Sequence, residues 1–258
     1  MNVLITGASS GLGEALALRI AHRYPQARLG LLARRESELR SLADRIGPGR
    51  CQILVCDLLE PGAARAAAAA FLAETGVPDW IVANAGISAG TVTGESDDDA
   101  VFARIVQLNL LAMMQTFSPF MAPMKARGSG RLVGVASVAG IRGLPGAGAY
   151  SASKAGAIAY LESLRLECRG SGVRVVTLAP GYIRTPMTAR NPYPMPFLMS
   201  ADAFAQRAVE SIARGHAYRV IPWQMGWVAR VLRVLPIALY DRVFARAPRK
   251  PRQNPTDR

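Results

Sequence analysis

Lysine is nearly missing from this basic chain. Of its 31 Lys and Arg residues only Lys125, Lys154 and Lys250 are lysine; arginine supplies every other side-chain cation of that kind. Histidine is scarcer still. His22 and His216 stand far apart, without Cys or carboxylate neighbours, and offer no metal-ligand set. The three cysteines, Cys51, Cys56 and Cys168, are odd in number and lack CxxC spacing. That speaks against a disulfide framework or a zinc ribbon and favours a reducing cytoplasm. No leader peptide is expected, since "MNVLITGAS" runs straight into a strand-like stretch. Long apolar runs are also few. The longest uncharged one, 105–124, could span a bilayer by length. Gln107, Asn109, Gln115, Pro119 and Pro123 interrupt it, so a buried helix with its exit loop is expected instead.

What is abundant is positive charge, but it is uneven. The formal net charge is +13. From Arg219 to Arg258 nine Lys or Arg face two Asp, so more than half of the excess sits at the C-terminal end. A nucleic-acid surface would need that charge interleaved with stacking aromatics on one face. The body of the chain is only mildly basic, and no nucleic-acid partner is expected. With 258 residues, half of them hydrophobic and 19% charged, the chain can bury a large core.

Apolar strand-like runs alternate with helical patterns along the chain. Strands are expected at 2–6, 27–34, 50–57, 78–86, 130–137, 172–181 and 217–223. Helices are expected after the first turn and at 36–46, 60–75, 98–126, 150–170 and 201–214. The strand runs are continuously apolar, which marks strands buried on both faces of a parallel sheet. The expected fold class is α/β: a Rossmann-type, doubly wound, seven-stranded parallel sheet with helices on both faces. Ligands of such sheets sit at the carboxyl ends of the strands. Gly7, Arg34, Asp57, Asn84, Ser137 and Pro180 all fall at such ends.

The first strand runs into Gly7-x-x-x-Gly11-x-Gly13, and a helix follows. Glycines let backbone approach a pyrophosphate, and a helix N-terminus presents unpaired N–H groups to it. Ser9 and Ser10 add hydroxyls, although a tight turn can need glycine for structure alone. After the second strand comes Ala33-Arg34-Arg35, with no carboxylate before Glu36. An acidic residue there would bind the ribose hydroxyl of NAD, whereas a basic one accommodates the 2′-phosphate of NADP. Arg34 therefore favours NADP(H) over NAD(H); a solvated charge at a helix start is the alternative.

Tyr150 and Lys154, in "AYSASKAGAIAY", lie four residues apart and so share one helix face. An ammonium beside a phenol favours phenolate and eases proton exchange near neutral pH. Lysine's compact ammonium can also reach sugar hydroxyls, which explains a lysine in a chain that otherwise uses arginine.

With the glycine turn, this pair carries a resemblance. The chain resembles the short-chain dehydrogenase/reductase superfamily, in its compact single-domain branch, over roughly residues 2–222. The matching motifs are TGASSGLG (6–13), Asp57, NAG (84–86), Asn109 in "LNLLA", Ser137, YSASK (150–154) and PGYIRT (180–185). The resemblance implies carbonyl–alcohol interconversion by hydride transfer, with Tyr150 as general acid/base. Lys154 would hold the nicotinamide ribose and lower the tyrosine's pKa. Ser137 would bond the substrate oxygen, and Asn109 would steady a water of a proton relay. The cofactor would be held by Gly7, Ser9, Ser10, Gly11, Leu12, Gly13 and Arg34, by Asp57 and Leu58 at the adenine, and by Asn84, Ala85 and Gly86 along the cleft. Tyr150, Lys154, Pro180, Gly181, Ile183 and Thr185 would meet its nicotinamide end. Taken singly, Ser137 could be a cap, Asn109 a packing residue and Asn84 a turn former. A homodimer or homotetramer through helices near 100–125 and 151–168 is also implied.

Residues 186–200 occupy the place of the family's substrate loop. Met187, Met195, Phe197, Leu198 and Met199 are expected to line a hydrophobic substrate site. Residues 1–222 are read as the nucleotide-binding domain and 223–258 as a basic amphipathic extension ending in a flexible tail. Trp227, Val228, Val231, Leu232 and Leu235 form a helical stripe among Arg230 and Arg233. Such a helix can lie on an anionic membrane, cover a partner subunit or close the active-site mouth. The expected location is the cytoplasm, with the inner face of a membrane as the alternative. A non-catalytic NADPH sensor on the same scaffold is the competing function. It predicts damage to Ser137, Tyr150 or Lys154, and all three are intact.

Overall fold

The computed structural model describes residues 1–189 and 191–252. Its sheet has seven strands, every neighbouring pair parallel: β1 (Asn2–Thr6), β2 (Arg28–Ala33), β3 (Cys51–Val55), β4 (Trp80–Ala83), β5 (Gly130–Val135), β6 (Val173–Pro180) and, after a small ribbon, β9 (Tyr218–Ile221). Their order is β3-β2-β1-β4-β5-β6-β9. The ribbon pairs β7 (Ile183–Arg184) with β8 (Met199–Ser200).

Alternation along β1 shows how the sheet is covered. Val3 and Ile5 pack on one face with Leu16, Ile20, Leu39, Phe204 and Ile212, from α1 (Gly11–Arg23), α2 (Glu36–Ile46) and α9 (Ala201–Arg214). Leu4 points to the other face, among Phe71 of α3 (Ala63–Thr75) and Leu161 of α7 (Gly148–Glu167). Phe71 and Phe120 meet there edge to face at 6.1 Å. Two apolar layers on one parallel sheet are the doubly wound architecture expected from the continuous strand runs.

The helix expected at 98–126 is one rod with two defects. It starts as α4 (Ser96–Val106), widens into a π-turn at Gln107–Leu111, and continues as α5 (Ala112–Phe117). A 3₁₀ turn at Ser118–Phe120 then leads to α6 (Met121–Arg127). Its length and apolarity would suffice for a bilayer, yet Ile105, Met113, Phe117, Phe120 and Met124 are buried against the protein's own core. The π-turn centres on Asn109, and such bulges gather at functional sites.

A short α8 (Pro186–Ala189) follows β7. Beyond β9, Pro236 divides the extension into α10 (Trp223–Val234) and α11 (Ile237–Phe244), because a proline donates no N–H to a continuing helix. The expected stripe is left largely exposed. Met225 and Ala229 are the buried positions of α10, while Trp227, Val228 and Val231 are exposed. Periodicity defines a stripe but not which flank docks. The extension docks on loop 141–147: the Tyr240 hydroxyl donates to the Gly143 carbonyl. Arg142 lies over the Tyr240 ring at 4.1 Å and donates to the Leu232 and Leu235 carbonyls. The tail expected to be flexible is held over 249–252 by contacts with Gly90, Asp98 and Gly146; 253–258 lie outside the described residues.

Candidate active site

The strand order reverses between β1 and β4, and there the two turns that follow them are tied together. The Thr6 hydroxyl accepts from the Asn84 and Ala85 N–H groups, at 3.0 Å each. Asn84 Nδ2 donates back to the Thr6 carbonyl at 3.0 Å and the Gly7 carbonyl at 3.3 Å. Asn84 is thus a clamp between turns. Gly7 has φ +67°, which favours glycine, and Gly13 abuts the Gly7 carbonyl so closely that a β-carbon there would lie 2.2 Å from its oxygen. Ser10 caps α1 without a side-chain bond to it, so the helix keeps its first N–H groups open for an anion.

These turns open onto a cavity of about 660 Å³, within the range of small-molecule sites. Of the cofactor residues expected from sequence, Gly7, Ser9, Ser10, Gly11, Leu12, Arg34, Asp57, Leu58, Asn84, Ala85 and Gly86 line it. So do Tyr150, Lys154, Pro180, Gly181, Ile183 and Thr185, and the catalytic candidate Ser137. Gly13 and Asn109 stand behind the wall: Gly13 packs under Gly7, and Asn109 is fully buried.

At the far corner, Arg34 reaches Asp57 at 3.5 Å. Arg35, passed over in the sequence, does more: its Nη2 donates to Ser9 Oγ at 3.0 Å and Ser10 Oγ at 2.8 Å. It thereby bridges the glycine turn and the β2–α2 turn. Two adjacent arginines with no acid before Glu36 were the available signal, and only the fold shows which one turns inward.

The catalytic candidates gather at the other end. Tyr150 is in the first turn of α7, and Lys154 follows one turn later. The Lys154 ammonium donates to the Val135 carbonyl at 2.8 Å and lies 5.8 Å from the Tyr150 ring centre. Burial pushes Lys154 down to about 8. Burial also pushes the Tyr150 phenol up, and the facing Ser137 hydroxyl opposes it less strongly. This direction runs against the lowered phenol expected from sequence, because burial outweighs the Ser137 hydrogen bond. Ser137 also caps a turn, accepting from the Ala139 N–H at 3.1 Å. Asn109 spends its amide on structure: Oδ1 accepts from Ile87 N–H at 2.9 Å, and Nδ2 donates to the Ile87 carbonyl and Ser153 Oγ, both at 3.0 Å.

The 186–200 loop contributes less than expected. Met187 lines the cavity, with Pro186 and Thr188. Phe197 and Leu198 are exposed, and Met199 pairs with Ile183 in the ribbon. Asn191 Nδ2 donates to Met195 Sδ at 3.6 Å. Tyr193 is the overlooked residue here. It stands edge-on to Tyr182 at 6.4 Å, and burial, with Tyr182 and Tyr150 nearby, pushes its phenol up.

A family model for short chain dehydrogenases matches residues 1–194. The chain belongs to that family. It is 39% identical over 240 residues to an uncharacterized oxidoreductase of Myxococcus xanthus, covering 92% of this chain and 94% of that one. A short-chain dehydrogenase from Sphingobium yanoikuyae, solved with NADPH, superposes with a TM-score of 0.77 at 27% identity, covering 92% of this chain and 97% of its own. A 3-ketoacyl-(acyl-carrier-protein) reductase from Brucella melitensis, solved with NADH, gives 0.76 at 26% identity, covering 85% and 96%. The protein is accordingly a member of an oxidoreductase family, and these two solved structures were determined with NADPH and with NADH.

Proposed function

We propose that the protein is an NADP(H)-dependent oxidoreductase that interconverts a ketone or aldehyde and its alcohol on a largely apolar substrate. The observation that carries this is convergence: Ser137, Tyr150 and Lys154 line one end of the same cavity whose other end is the glycine turn. The cavity suits a dinucleotide, with an open helix N-terminus for phosphate and paired arginines at the ribose corner.

A nicotinamide dinucleotide bound there supplies or accepts the hydride. Tyr150, kept protonated by burial, donates its proton to the carbonyl oxygen in reduction and takes it back in oxidation. Ser137 holds that oxygen. Lys154 stabilises the phenolate left behind and bonds the sugar hydroxyls. Asn109 steadies the wall by gripping Ile87, leaving one oxygen lone pair for a relay water. Steady-state NADPH oxidation over a panel of apolar ketones and aldehydes tests the reading; turnover that survives loss of the Tyr150 hydroxyl would sink it.

Two further outcomes are expected. Arg35→Ala should lower the NADPH-over-NADH preference in kcat/KM about tenfold, as one charge-assisted contact to a phosphate is lost. Arg34→Ala should lower it too, and an unchanged ratio in both variants would assign NAD instead. With an uncharged ketone, kcat/KM should fall as pH rises through about 8, where buried Lys154 loses its proton. The sign is fixed by the lysine, which is an ammonium below that value and neutral above it. Lys154→Met should lack this limb.

Exposed Phe102, Leu111, Met114 and Leu166 support a homodimer or homotetramer through α4, α5 and α7. Trp223, Trp227, Val231 and Val234 of α10 are exposed beside Arg230 and Arg233, which supports peripheral membrane contact through 223–247. The three free thiols suit the cytoplasm.

A further inference from the structure

Lys250, the last of the three lysines, also stands at Tyr150. Its ammonium lies 5.8 Å from the ring centre, the same distance as Lys154. It comes from the C-terminal strap, which crosses between loops 87–92 and 141–147. The strap is latched at three points. The Gly90 N–H donates to the Pro251 carbonyl at 2.8 Å. Arg252 Nε binds the buried carboxylate of Asp98 at 2.9 and 3.2 Å, with Glu95 at 3.5 Å. Arg249 packs its stem over Gly146.

Lys250 points inward from this strap. One of its three donors goes to Ser88 Oγ at 2.8 Å. Among the described residues no carboxylate lies within 4.0 Å of its nitrogen. Burial without an anion pushes it down to about 8. A half-desolvated ammonium with spare donors is costly unless something anionic meets it. Of its neighbours on the strap, Arg252 is spent on Asp98 and Arg249 packs its stem over Gly146 from an exposed position.

We infer that Lys250 is the anion-recognising residue of the substrate site, and that the substrate is a ketone or alcohol carrying a carboxylate close to the reacting carbon. This rests on the oxidoreductase proposed above. With the reacting oxygen at the Tyr150 hydroxyl, a group on the reacting carbon would come near the Lys250 ammonium, 5.8 Å from the Tyr150 ring centre, and the Ser88 hydroxyl it holds. Met187 lines the cavity and Tyr193 stands near Tyr150, which leaves apolar and aromatic surroundings for the rest of the molecule. Lys250 stands at the Tyr150 end, away from the glycine turn and the Arg34–Arg35 corner that would hold the cofactor's phosphates.

The test is calorimetry on the complex with NADP⁺, in which an oxidised cofactor cannot reduce a ketone. The probes are medium-chain alpha- and gamma-keto acids and their methyl esters. At least one acid should bind about tenfold tighter than its ester, the effect of one charge-assisted hydrogen bond. In Lys250→Met that ratio should fall to near one, and Lys250→Arg should restore part of it. Gly90→Ala should act like Lys250→Met, since a β-carbon at Gly90 would lie 2.2 Å from the Lys250 carbonyl oxygen and lift the strap. NADPH affinity serves as the check on folding. Acids and esters binding wild type equally, neither binding at all, or an acid preference that survives Lys250→Met would each overturn the inference. None of these needs turnover, so the inference can fail while the oxidoreductase stands, and the reverse.

Discussion

Replacing Tyr150 with phenylalanine should lower kcat for carbonyl reduction about a thousandfold, while NADPH affinity changes only severalfold. The change removes one oxygen and leaves the ring against Lys154 and Lys250, each 5.8 Å from its centre. General acid–base groups contribute about 10²–10⁴-fold, and of the other proton carriers at the ring Lys250 is tied to Ser88 Oγ. Lys154 is held to the Val135 carbonyl, and Ser137 gives up a proton far less readily than a phenol. The loss should fall on kcat and kcat/KM alike, the pattern of an interaction made only in the transition state. Ser137→Ala should cost less, about a hundredfold, because it removes a donor to the developing oxyanion but leaves the proton. Steady-state NADPH absorbance reads both. If Tyr150→Phe kept a tenth of the wild-type kcat, the phenol would not be the proton donor, and the sensor alternative would gain ground.

Most of the fold was legible because each strand is a continuous apolar run and each connection carries helical periodicity. The seven runs gave the seven strands of the main sheet, the fourth most overextended against Trp80–Ala83, while the ribbon of Ile183–Arg184 and Met199–Ser200 was not among them. The cofactor residues were legible because turn chemistry is local. Gly7, Asn84 and Pro180 each follow a strand by a residue or two or close one, so finding the strands found the cavity wall.

What escaped was set by long-range packing. Nothing in "ARRES" says that Arg35, rather than Arg34, turns toward Ser9 and Ser10. Nothing in the stripe of α10 says that Met225 and Ala229, rather than Trp227 and Val231, face inward. The π-turn at Asn109 was invisible because its residues are ordinary helix formers; the amide's grip on Ile87 marks it only once the fold is known. The strap was misjudged on composition. "APRKPR" has the charge and proline of a flexible end, but Arg252 meets a buried carboxylate 154 positions earlier, and no local pattern encodes that pairing. The scarcity of lysine was the one usable clue. Two of three lysines stand at a single tyrosine ring, and the helical spacing of Tyr150 and Lys154 accounts for only one of them.

Adding a single β-carbon at Gly13 should be the most damaging small change to cofactor binding. In Gly13→Ala that carbon would lie 2.2 Å from the Gly7 oxygen, 2.7 Å from Asn84 Nδ2 and 2.8 Å from the Gly7 carbonyl carbon. Two of these are backbone atoms, and the third belongs to the clamp that ties the turns after β1 and β4. None can give way as a flexible side chain would, so α1 must lift from the turn. Overpacking of this kind costs about 1–3 kcal/mol. For a chain of this size that is roughly 2–10 °C in Tm. The effect on binding should be larger, because the backbone that moves is the backbone that would hold the phosphates. Losing two charge-assisted N–H contacts raises Kd about a hundredfold or more. Gly143→Ala is the matched control. A β-carbon there meets nothing within 4 Å, and NADPH affinity should stay at the wild-type value. Fluorescence titration with NADPH and a thermal melt separate the two effects. A Gly13→Ala protein that melts lower but binds NADPH as tightly as wild type would show that the phosphates sit elsewhere than on the first turn.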